Sequence, residues 1–147
     1  MANQLIVKDE IIIDASPDQV WEVLVTPKYV AQWDELPEDY PPDKMGLGSK
    51  VVWEHPSGGE TTTTIIKAEE RKELKIALTS SNWEVQPNEG DVAYVYRLED
   101  QGGKTLLKIE IGDFSLLQNG QDYSDASVEF ASNAKKAIKQ LAENLEG

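Results

Sequence analysis

Residues able to do acid–base, nucleophilic or metal chemistry are scarce here: the chain has one histidine, two arginines and no cysteine. His55 stands in His55-Pro56-Ser57-Gly58-Gly59, a run that predicts a hairpin turn. A catalytic base needs an orienting partner and a cleft. Glu54 adjoins it, but neighbours on a strand point to opposite faces. A zinc site with one imidazole and otherwise carboxylates is uncommon. Asp34, Glu35, Glu38, Asp39 and Asp43 crowd one segment without the spacing of a calcium-binding loop, and Pro37, Pro41 and Pro42 interrupt them. They read as a solvated acidic loop. The sequence contains no Gly-x-Ser-x-Gly elbow, and Gly46-Leu47-Gly48 continues neither as a dinucleotide fingerprint nor as a phosphate loop. A cyclase or hydratase could use scattered Asp, Glu, Tyr or Arg without any motif. Arg97, however, falls on the strand face opposite Tyr94 and Tyr96. The expectation is a protein without catalytic residues, metal or cofactor.

The aromatic side chains say more. Trp53, Tyr94, Tyr96 and Phe130 fall on predicted inward faces, Trp21 and Trp33 on two short helices, and Trp83 and Phe114 near loops. Such a set either fills a core or walls a cavity with tyrosine hydroxyls as polar anchors. Trp83 is open to two uses, as a dimer contact or as a loop residue packing locally.

The elements that must position these groups are written by pattern. Leu5 to Asp14 predicts a strand ending in Ile11-Ile12-Ile13. Ser16-Pro17-Asp18-Gln19 predicts a capped helix start, followed by Val20, Trp21, Leu24 and Val25 as an apolar stripe. Thr26-Pro27 ends that helix and starts another through Tyr29, Val30 and Trp33. Asp34 to Ser49 predicts a long loop, a candidate lid or rim. From Lys50 to Asp113 the pattern is β: Val51-Val52-Trp53, Thr61 to Glu69, then alternating faces Leu74/Ile76/Leu78, Val92/Tyr94/Tyr96/Leu98 and Leu107/Ile109/Ile111. Short turns between them imply antiparallel neighbours. Ser124 predicts the cap of a final helix to about Glu146, about 34 Å long. Its stripe runs Ser127, Ala131, Ala134, Ile138, Leu141, Leu145, flanked by Phe130 and Ala137.

At 147 residues this is one domain's worth of chain, residues 1–147. With 27 acidic against 14 basic residues, the net charge of −13 argues against a nucleic-acid partner. The densest basic cluster, Lys135, Lys136 and Lys139, reads as a solvated helix face. The charged residues Lys8, Asp9 and Glu10 break any signal-like run near the N-terminus. Apolar stretches are far shorter than the ~20 residues of a membrane span. These features predict a soluble, cytoplasmic protein.

The order of strand, two short helices, a run of strands and a long terminal helix resembles the helix-grip (SRPBCC, START-like) superfamily. Within it, the chain is most similar to the branch named for activators of a heat-shock-protein ATPase, resembling that family's C-terminal domain. The resemblance is carried by Ile11 to Leu24, by Thr26-Pro27 and Trp33, by Gly46-Leu47-Gly48-Ser49 and by the terminal stretch Ala137 to Leu145. It implies an α+β fold in which a curved antiparallel sheet of about six strands wraps the last helix. It also implies a cavity between sheet and helix for a small hydrophobic or amphipathic ligand, a lipid being one such class. Under that reading the lining is Trp53, Ile76, Leu78, Tyr94, Tyr96, Ile109 and Phe130, with Trp33 and the 34–49 loop at the entrance. The alternatives are a chaperone or other protein as partner, consistent with a role in stress response, and last a cyclase-type enzyme. Monomer and homodimer both stay open.

Overall fold

The computed structural model describes residues 5–33, 44–54, 58–81, 83, 90–117 and 120–145. A first strand, β1 (Val7–Ile13), leads into α1 (Pro17–Val25) and α2 (Pro27–Trp33). Five strands follow: β2 (Lys50–Glu54), β3 (Glu60–Glu69), β4 (Glu73–Ser80), β5 (Ala93–Asp100) and β6 (Thr105–Gly112). A short 3-10 turn, Phe114–Leu116, precedes α3 (Gly120–Asn144). The architecture is the expected α+β one, a six-stranded antiparallel sheet ordered β1-β6-β5-β4-β3-β2 with α3 on its inner face.

The start of α1 is a reciprocal cap: the Gln19 N–H donates to Ser16 Oγ at 3.3 Å and the Ser16 N–H donates to Gln19 Oε1 at 3.0 Å. Thr26 serves both short helices. Its N–H donates to the Glu22 carbonyl at the end of α1, and its own carbonyl accepts from Tyr29 and Val30 at the start of α2. Pro27, which has no N–H to lose, makes this bend inexpensive.

The long helix begins four residues before the predicted Ser124, at Gly120. The cause is tertiary. A Cβ on Gly120 would lie 1.9 Å from the Phe114 carbonyl oxygen, so only glycine lets the first turn seat against the 3-10 turn. At 25 residues α3 is about 37 Å long. Its buried face is Ser127, Ala131, Ala134, Ile138 and Ala142, with Leu141 and Leu145 half-buried beside it. Those small residues bring α3 down onto β1 and β6, where Ile13, Leu107, Ile109 and Ile111 are fully buried. The predicted solvated lysine face is solvated only in part: Lys135 reaches Asp9 of β1 at 2.6 Å, both side chains mostly covered, while Lys139 pairs with Glu143 on its own helix.

The outer face of the sheet is laced by charges across five strands. Lys67 meets Glu73 at 3.1 Å, Glu73 meets Arg97 at 3.1 Å, Arg97 pairs with Glu110, and Glu110 faces Lys8 at 4.0 Å. Arg97 thus points outward, as its place in the alternation predicts.

Candidate ligand-binding cavity

α3 covers one side of the inner face; the other side holds a half-open cavity of about 380 Å³. That volume falls in the ~300–1,000 Å³ range of small-molecule sites. The register explains how the wall is assembled. Val51, Thr63 and Leu78 sit side by side across β2, β3 and β4, and Ile65, Ile76 and Tyr94 do so across β3, β4 and β5. Trp53 stands opposite Thr61 at the β2 edge, and Tyr96 pairs with Leu74 on β5. The roof comes from α1 through Leu24, from α2 through Val30 and Trp33, and from Met45 and Ser49.

The roof is tied down by specific bonds. Trp33 Nε1–H donates to the Val23 carbonyl at 2.9 Å, and the ring meets Tyr96 edge-on with centroids 5.5 Å apart. The Met45 N–H donates to the Val25 carbonyl at 2.8 Å, and the Gly48 N–H to the Ile65 carbonyl at 2.8 Å. The Gly46–Ser49 turn is therefore stitched between α1 and β3. Next to it, the Lys44 ammonium lies 2.7 Å from Glu22 and holds that carboxyl below the ordinary glutamate value.

Of the eight residues predicted for the site, Trp33, Trp53, Ile76, Leu78, Tyr94 and Tyr96 border this cavity. Ile109 does not. It faces inward as expected but is fully buried on β6, the side α3 covers. Phe130 meets Tyr94 edge-on at 5.6 Å and borders a second, more open space with Phe114, Tyr123 and Ser127. Trp33, Leu78 and Tyr94 border both spaces. No α3 residue lines the inner cavity among the described residues, which places it beneath the two short helices instead of beneath the C-terminal one. Trp33 is part of the roof and 94 % buried, where an entrance residue was expected.

Among the described residues Leu24, Val30, Val51, Thr61, Thr63 and Ile65 also line it without having been expected there, and Met45 and Ser49 come from the 34–49 loop expected at the entrance. A signal for some of them exists: Thr61, Thr63 and Ile65 alternate along one strand face. The acidic segment 34–43 and His55 lie outside the described residues. Trp83 packs locally, its Nε1–H donating to the Tyr123 hydroxyl at 3.1 Å with the rings edge-to-face. Among the described residues no group of three or more His, Asp or Glu could hold a metal ion, and no helix is long and apolar enough to cross a membrane.

The same fold recurs in solved structures of low identity, a likeness of fold alone. Protein MLL2253 from Mesorhizobium loti is 16% identical with a TM-score of 0.73, covering 97% of this chain and 99% of its own. Protein Ms6760 from Mycobacterium smegmatis is 17% identical with a TM-score of 0.69, covering 100% and 96%. The Aha1 dimer from Colwellia psychrerythraea is 15% identical with a TM-score of 0.60, covering 91% and 96%. No curated protein sequence matches the chain. The family model described as "Activator of Hsp90 ATPase homolog 1-like protein" matches residues 14–146, nearly the whole chain, and the protein belongs to that family.

Proposed function

We propose that the protein binds a small apolar or amphipathic molecule in the cavity roofed by α1 and α2. The observation that carries this reading is the cavity of about 380 Å³, walled by Trp33, Trp53, Tyr94 and Tyr96 together with aliphatic side chains. A core that merely needed filling would close such a space, since interiors pack to crystal-like density. Burial of apolar ligand surface supplies on the order of 25 cal/mol per Å², before the costs of association. Ile76 and Leu78 supply aliphatic wall, Tyr94 and Tyr96 supply rings, and Phe130 would contact whatever extends into the outer space.

Trp33 and Trp53 make intrinsic fluorescence the direct assay. Titration with sterols, flavonoids, polycyclic aromatics and fatty acids should give saturable quenching by one chemical class, with thermal stabilisation that grows with ligand concentration. Ile76→Trp, which fills the space, should abolish that stabilisation while leaving a folded protein. An absence of binding across the panel would remove the cavity reading.

The family description favours a second reading, activation of a chaperone ATPase through a protein contact. An Hsp90 ATPase assay tests it. No change in rate at saturating protein would sink it, whatever the cavity binds.

A further inference from the structure

Building on the cavity-binding reading, we infer that the cavity selects uncharged ring compounds bearing a hydroxyl or carbonyl group and rejects carboxylates and phosphates. All fourteen lysines and arginines lie among the described residues, so each can be placed. None lines the cavity. Four adjoin the lining in sequence, and all are otherwise disposed: Lys75 and Arg97 alternate with Ile76 and Tyr96 on their strands and belong to the opposite face of the sheet, where Arg97 pairs with Glu73 and Glu110. Lys44, beside Met45, is held by Glu22 at 2.7 Å, and Lys50, between Ser49 and Val51, is exposed.

An anionic headgroup in this space would be stripped of water without gaining a counter-charge. Burying an unpaired carboxylate is so costly that such a group takes up a proton instead. The long-range field acts in the same direction, because a net charge of −13 lowers the local concentration of anions. Among the described residues the lining does offer polar contacts, and those are neutral: Ser49, Thr61 and Thr63 on one wall, Tyr94 and Tyr96 on another. A hydroxyl donates one hydrogen bond and accepts others, which matches an alcohol, phenol or ketone. The aromatic side chains among the described lining residues, Trp33, Trp53, Tyr94 and Tyr96, favour a ring as the body of the ligand.

Two probes that share a ring and differ in headgroup test the inference: naphthylmethanol and naphthoate, titrated by calorimetry at pH 8, above the ordinary histidine range. Naphthylmethanol should bind saturably and naphthoate at least tenfold more weakly. The gap should narrow as pH falls towards the acid's own pKa, because its neutral form is the one that enters. Thr63→Lys, which supplies the missing cation, should reverse the preference, and Thr61→Lys serves if the first variant does not fold. Equal affinity for the two probes, or a lysine variant with unchanged preference, would overturn the charge selectivity while leaving the cavity reading in place. Binding of neither probe by the wild-type protein would overturn both.

Discussion

The two sides of this sheet are covered in opposite ways. Over β1 and β6, one long helix presents Ala131, Ala134 and Ala142, and the layers close until Leu107, Ile109 and Ile111 lose all contact with water. Over β2 to β5, two short helices present Leu24, Val30 and Trp33, and the layers stay apart around a cavity. Side-chain size alone would suggest the reverse, with alanines leaving gaps and aromatics filling them. The difference lies in what sets the distance between layers. Alanines let a helix backbone descend, whereas Trp33, propped on Tyr96 and bonded to the Val23 carbonyl, holds its roof up. One side of the fold is built for stability and the other keeps a void, which forfeits packing contacts along its walls.

Truncation should separate the two sides most clearly. Ile138→Ala, at a fully buried position of α3, is expected to cost about 2–5 kcal/mol. Ile76→Ala, at a wall that already borders empty space, should fall at or below the low end of that range in denaturant unfolding. Equal losses would mean that the cavity side is packed as tightly as the other. Enlargement should give a smaller contrast in the same direction. Ala134→Leu overfills a closed layer at a cost of about 1–3 kcal/mol. Thr63→Leu has room to enter the cavity, and its cost should stay under about 1 kcal/mol. A Thr63→Leu variant destabilised as much as Ala134→Leu would contradict the void.

Acid should show the least difference, since each side carries depressed carboxyls, Glu22 and Glu73 on the cavity side and Asp113 and Glu143 on the other. Hydrogen bonding to Lys44 lowers Glu22 on the cavity side. On the other, burial pushes Asp113 up, but hydrogen bonds from the Ser115 hydroxyl and the Leu5 and Ser115 N–H groups outweigh it and hold it low. A folded-state value below the unfolded one adds stability above the ordinary carboxyl range. That stability is lost as pH falls from about 4 through the lowered values. Asp113→Asn and Glu22→Gln should each flatten the acid limb of a stability–pH curve. A variant whose curve below pH 4 overlays the parent's would show that its carboxyl does not contribute.

Much of this arrangement is legible from sequence because its causes are local. The Ser16–Gln19 cap closes within four residues, and the Thr26-Pro27 bend needs only the two residues themselves. Leu107, Ile109 and Ile111 show their inward face by alternation. Alternation names a face, however, and not the neighbour above it. Ile109 and Ile76 look alike in sequence, and only the lateral placement of α3 makes one core and the other cavity wall. Thr61 and Thr63 are not legible as cavity wall, because a threonine-rich strand reads as half-solvated; their exposure to the cavity follows from pairing with Trp53 and Val51. Gly120 likewise carries no local mark of a helix start, because the clash it avoids is with Phe114.

The pairing of β1 with β6 has a consequence for the order in which the molecule forms. β2 through β5 follow one another as antiparallel neighbours, so each can pair soon after it is made. β1 cannot: Ile13 waits for Thr105 and Val7 for Ile111, partners 92 and 104 residues downstream. At a synthesis rate of roughly 5–20 residues per second, Ile11-Ile12-Ile13 stands without its partner strand for about 5–20 s. The walls of the cavity are therefore synthesised before β1 can join its compact side, and Ile11-Ile12-Ile13 stays unpaired throughout that interval.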